Sequence, residues 1–145
     1  MARSRFLTEE EAVAIRQAIQ RAEFRTSGEI RVYVESRCEE NVLDRAAWVF
    51  KKLGMYKTEH RTGVLVYIAT ISRKMAVIGD AGINAVVTPG FWDQTKELIL
   101  EEVRQGRLCR GIVAGVLQIG ELLHDKFPRP QNNVNELSDE VVCGK

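Results

Sequence analysis

The chain has 145 residues, 45% hydrophobic and 28% charged, with a formal net charge of +1. Those values suit one compact domain that buries roughly 68–70% of its unfolded surface and folds without a disulfide or metal staple. The near-neutral charge excludes an overall pull toward nucleic acid or anionic lipid.

Thr8 and Glu11 form an S/T-x-x-E capping box, with Leu7 and Ala12 placed as a hydrophobic staple. Ala12, Ile15, Ala18, Ile19 and Ala22 follow at helical spacing, so a first helix is expected from Glu9 to Phe24, broken by Thr26–Gly28. Glu29–Ser36 alternates strictly, Ile30, Val32 and Val34 against Arg31, Tyr33 and Glu35, and reads as a strand. The basic residues Arg21, Arg25, Arg31 and Arg37 interleave with Glu23, Glu29 and Glu35, which predicts a solvated mixed face. Leu43, Ala46, Ala47, Phe50 and Leu53 mark a second helix, stopped by Gly54.

Gly63–Ala69 is apolar on both faces and rich in β-branched residues, the pattern of a fully buried central strand. The short link Ile71–Arg73 leads into a third strand, Lys74–Gly79, and implies an antiparallel hairpin. A short helical turn is expected around Ile83–Val87. Trp92, Thr95, Ile99 and Val103 share one face of a third long helix, ended by Gly106. Leu108, Ile112, Val116, Ile119, Leu122 and Leu123 define a fourth, ended before Pro128. Gly111 and Gly115 in it form G-x-x-x-G, read as close packing. Residues 1–128 therefore form one domain, and residues 129–145 a polar tail that could dock as an added strand or helix.

The order α-β-α-β-β-α-α makes the first two strands parallel through a right-handed helical crossover, with the third returning antiparallel. Helices on both faces of this mixed sheet give an α/β/α sandwich. The three cysteines, Cys38, Cys109 and Cys143, form no C-x-x-C pair and make no zinc pattern with His60 and His124, which fits a reduced cytoplasmic protein. Residues 1–11 have no apolar core of a secretory signal, and the longest apolar stretch, Val64–Ala69, is six residues, so direct membrane insertion is not expected.

TSGEIRVYV (Thr26–Val34), RTGVLVYIA (Arg61–Ala69) and SRKMAVIGDAGIN (Ser72–Asn84), followed by Phe91–Trp92 and the glycine-rich helix GIVAGVLQIGELL, resemble the TPM-domain family in order and spacing. The ending Asn135–Glu140 is similar to a small soluble bacterial subgroup of it. The resemblance covers nearly the whole chain. It implies an α/β/α sandwich with a mixed sheet and, in some members, calcium or magnesium binding. It also implies roles that differ between members: acid phosphatase activity linked to photosystem repair in a plant thylakoid relative, protein interaction beside membranes in many others.

The expected topology gathers Glu29, Asp80 and Asn84 at one edge of the sheet, with Glu59 and His60 nearby. Carboxylate and amide oxygens suit a hard cation such as Ca²⁺ or Mg²⁺, and Gly79 and Gly82 let the backbone turn there. Residues 79–84 lack both the G-x-G-x-x-G order and the Walker lysine and hydroxyl, so a nucleotide cradle is not expected. Where relatives carry an acid and Asn before the second strand's glycine, this chain has Arg61 and Thr62. Where they carry a glycine–aromatic–glycine turn and then an acid, it has Gly79, Asp80, Ala81, Gly82 and Asn84. Arg61 could pair with Asp80 or Glu29 and replace a metal electrostatically. The first functional reading is a non-catalytic module that offers this sheet edge, with optional Ca²⁺ or Mg²⁺, to an unidentified protein partner. The alternative is a divalent-cation-dependent acid phosphatase with Asp80 as nucleophile or metal ligand and Arg61 or Arg73 as phosphate clamp.

Overall fold

The computed structural model describes residues 7–129. The elements run α1 (Glu9–Phe24), β1 (Glu29–Glu35), α2 (Val42–Lys52), β2 (Gly63–Ala69), β3 (Lys74–Gly79), α3 (Ala81–Asn84), α4 (Phe91–Val103) and α5 (Leu108–Lys126), with a 3-10 turn at Met55–Lys57. Helix α1 starts where the capping box places it. The Thr8 amide donates to Glu11 Oε1 at 2.9 Å, and the Glu11 amide donates to Thr8 Oγ1 at 3.0 Å. Two of the orphan donors of the first turn are thereby satisfied.

The sheet order is β1-β2-β3. β1 pairs parallel with β2, Glu29 opposite Gly63, and β2 pairs antiparallel with β3, Val64 opposite Gly79. Every residue of β2 is buried, because both of its faces are covered. On one face Ile30, Val64, Val66, Ile68, Met75 and Val77 pack with α1, α4 and α5. On the other, Leu65, Tyr67, Ala69 and Ala76 pack with Ala46, Val49 and Phe50 of α2 and with Met55. This is the three-layer α/β/α sandwich with a mixed sheet. Ile112, Val116, Ile119 and Leu123 place α5 at the centre of the larger core, each with no exposed surface. Gly111 and Gly115 bring it against α4: a Cβ at Gly111 would lie 2.8 Å from the Ile99 carbonyl oxygen.

Two sequence expectations are corrected. The short helix after β3 occupies Ala81–Asn84 rather than 83–87, because the Asp80 carboxylate accepts from the Ala81 amide and starts the turn at once. The charges interleaved along Arg21–Arg37 do not form one solvated face. Glu23 and Glu35 are only about one-fifth exposed in their side chains and carry structural hydrogen bonds. At the end of the described residues Arg129 is tied to the α1–β1 connection. Its amide donates to the Arg25 carbonyl at 3.3 Å, beside an antiparallel bridge between Thr26 and Pro128. Tail docking lies outside the described residues. Among those residues no helix is long and apolar enough to cross a membrane.

Candidate functional site

Gly63, the first residue of β2, is the centre of the end of the sheet where the candidates were expected. Glu29 is its partner in β1, and on the other side the Asp80 amide donates to the Gly63 carbonyl at 2.9 Å. The backbones of Glu29 and Asp80 thus flank one glycine at the same end of the sheet. They are separated by two strand spacings, about 10 Å.

Their side chains go to different partners. Asp80, with 6% of its side chain exposed, takes a two-pronged bond from Arg61: Nε to Oδ2 at 2.8 Å and Nη2 to Oδ1 at 2.9 Å. Its Oδ1 also accepts from the Ala81 amide at 2.7 Å. Glu29 Oε2 accepts from Arg31 at 2.9 Å. Asn84 turns toward α4, where its Oδ1 accepts from Trp92 Nε1 at 2.9 Å while its Nδ2 donates to the Gly79 carbonyl at 2.8 Å. Glu59 and His60 sit 3.8 Å apart and well exposed.

Arg61 is held in place by its own backbone. It adopts φ 57°, a left-handed conformation uncommon for a residue with a Cβ. Its amide donates to the Thr58 carbonyl, and its carbonyl accepts from the Gly82 amide at 2.9 Å. A Cβ on Gly82 would lie 2.0 Å from the His60 carbonyl oxygen, so only glycine permits this approach. The loop and α3 are locked together, and the guanidinium is aimed at Asp80. Hydrogen bonding and the charge of Asp80 push the Arg61 pKa up.

A divalent ion would need oxygens that converge and are free. As arranged, Glu29, Asp80 and Asn84 would have to rearrange to hold one, because both Asp80 oxygens, Asn84 Oδ1 and Glu29 Oε2 already accept hydrogen bonds. Among the described residues no group of three His, Cys, Asp or Glu side chains is placed to hold a metal.

Beside the Arg61–Asp80 pair lies an open cavity of about 410 Å³ between α2 and β3. Ala47, Phe50 and Ile78 form its apolar part, and Lys51, Tyr56 and Arg61 its polar rim. Sequence reasoning missed this groove, since its walls come from segments that are unrelated in the chain. It also missed two carboxylates. At the far end of the sheet Glu35 accepts from Arg45 Nε and Nη2, both at 2.9 Å, and from the hydroxyl of fully buried Tyr67. The Arg45 hydrogen bonds, despite some burial, hold Glu35 below the usual carboxylate range, and burial pushes the Tyr67 hydroxyl up. Glu23, on α1, accepts from the Ile30 amide of edge strand β1 at 2.6 Å. Burial pushes its carboxyl up to about 7, against the opposing pull of that bond and of Arg31. A glutamate at a helix C-terminus two residues from an arginine gives no local sign of either fate.

The family model for the TPM domain matches residues 2–122. The chain is a TPM-domain protein. Among solved structures, this TPM domain is similar to the NMR structure of the BA42 protein from the psychrophilic bacterium Bizionia argentinensis. The identity is 43%, coverage is 91% of each chain, and the TM-score is 0.83. It also shares its fold with the N-terminal domain of a P. gingivalis protein, at 17% identity and a TM-score of 0.69, covering 84% of this chain and 79% of the other. No curated protein matches it.

Proposed function

We propose that this TPM domain is a non-catalytic protein-interaction module. The observation that carries the reading is the engagement of Asp80: both carboxylate oxygens accept from Arg61, and one also caps α3. A nucleophile or metal ligand needs an oxygen free to meet its target, and here the guanidinium supplies the positive charge that a cation would otherwise bring. Ca²⁺ or Mg²⁺ at this edge would require Asp80 to leave Arg61.

One observation favours the phosphatase reading. An acid and an arginine line the same open cavity, as a nucleophile and a phosphate clamp would. The two readings separate in a phosphomonoester assay with and without Ca²⁺ or Mg²⁺, run on the wild type and on Asp80→Asn. The module reading expects no turnover above the buffer rate from either protein. Turnover that disappears in Asp80→Asn while the variant stays folded would replace it with the phosphatase.

A further inference from the structure

We propose that the groove between α2 and β3 binds an acidic, aliphatic segment of a partner protein in extended form. This rests on the interaction-module reading and assigns its surface.

The apolar half of the case is the lining. Exposed Ala47, half-buried Ile78 and the edge of the largely buried Phe50 form the floor of the groove. Leu43, Ala47 and Lys51 are spaced i, i+4, i+8, so they stand in one row along the outer flank of α2. Leu43 is 57% exposed and Tyr56, across the groove, 41%. Tyr56 lines the groove directly, and Leu43 stands one turn from Ala47 in that row. Apolar side chains left open beside a groove are of the kind that a partner covers.

The charged half is the rim. Lys51 lines the groove and Lys57 Nζ stands 5.8 Å over the ring of Tyr56, which lines it too. Neither lysine has an ion-pair partner among the described residues, whereas Asp80, the acid of the groove, is neutralised by Arg61. Arg61 spends two of its five N–H donors on Asp80, and its side chain is 51% exposed, so donors remain for an incoming carboxylate. An apolar floor under an uncompensated basic rim is complementary to alternating carboxylates and aliphatic side chains. Single-stranded nucleic acid fits less well. The Trp48 ring that could stack a base already carries Arg45 at 4.6 Å and Lys52 at 5.4 Å, and the groove floor offers no hydrogen bonds to base edges.

The test titrates the full chain with a labelled peptide of three Glu-Leu-Asp-Val repeats, read by fluorescence anisotropy and by amide shifts. Binding should move the amides of Ala47, Lys51 and Ile78. It should weaken at least tenfold in Lys51→Glu and in Ala47→Glu, both at exposed positions where folding is retained. Equal affinity for Glu-Ser-Asp-Ser repeats, or tighter binding of an oligonucleotide of equal charge, would overturn the proposal. So would binding seen only after removal of residues 130–145, which makes the occupant the chain's own tail. Shifts confined to another face would also overturn it but leave the module reading standing; Asp80-dependent phosphatase turnover would instead remove that reading.

Discussion

Arg61 and Asp80, nineteen residues apart in sequence, meet in a parallel pair of hydrogen bonds at 2.8 and 2.9 Å. One partner is half-exposed and the other nearly buried, 51% against 6% of the side chain. Removing the arginine strands a buried carboxylate, whereas removing the acid leaves the arginine to water. Arg61→Ala is therefore expected to destabilise the fold through the unpaired Asp80 that it leaves. Arg61→Gly should cost less by about 0.5–1 kcal/mol, because glycine accepts φ 57° without strain. Urea denaturation of the three proteins checks the order; equal losses for Ala and Gly would deny the strain.

Glu23 gives the stability a slope with pH. Its carboxyl is held at about 7 against an ordinary 4.5, so the folded state keeps this proton after the unfolded state has lost it. Stability from this group is complete below about 4.5 and falls as pH rises to about 7. At about 1.4 kcal/mol per pH unit, the full interval comes to roughly 3 kcal/mol at most. Glu23→Gln should flatten the dependence of Tm on pH across that window and raise Tm at pH 8. A parallel curve for the variant would show that Glu23 is not the source.

Glu35 acts with the opposite sign. Its pKa lies below the ordinary value because Arg45 binds the carboxylate, so its contribution is present above the unfolded pKa and is lost as pH falls through the folded one. In the Glu23→Gln background the acid limb of the Tm profile should therefore remain, and Glu35→Gln should shrink it. An acid limb unchanged by Glu35→Gln would place the titration elsewhere.

Tyr67→Phe removes one donor to Glu35 while Arg45 keeps the carboxylate paired. The expected loss is about 1 kcal/mol, with the core packing intact. A much larger loss in chemical denaturation would mean that the hydroxyl, rather than Arg45, holds Glu35 in place.

Gly115→Ala and Gly111→Ala test the contact between α4 and α5. The new Cβ atoms would lie 2.6 Å from the Ile99 side chain and 2.8 Å from the Ile99 carbonyl oxygen. The side chain can turn aside, but the helix backbone cannot. Gly111→Ala should therefore be the more damaging, by about 1–3 kcal/mol relative to wild type, against the gain that alanine normally brings to a helix. Thermal melts that rank the two variants the other way would reject this account.

Local chemistry wrote much of the architecture into the sequence. The Thr8–Glu11 box starts α1, the alternation from Glu29 makes β1, the unbroken apolar run Gly63–Ala69 makes a strand buried on both faces, and the brief link after Ala69 makes a hairpin. Each depends on neighbours within a few residues, and the resulting order already brings Glu29 and Asp80 to one end of the sheet. Tertiary structure decided what those groups do there. Asp80 met Arg61, Asn84 turned to Trp92 and Glu29 was taken by Arg31. The burial of Glu23 and the groove under α2 arise where distant segments close on each other. Such partner choices depend on desolvation and on angstrom-scale aim across the assembled fold, and neither quantity exists until the sheet and its helices have packed.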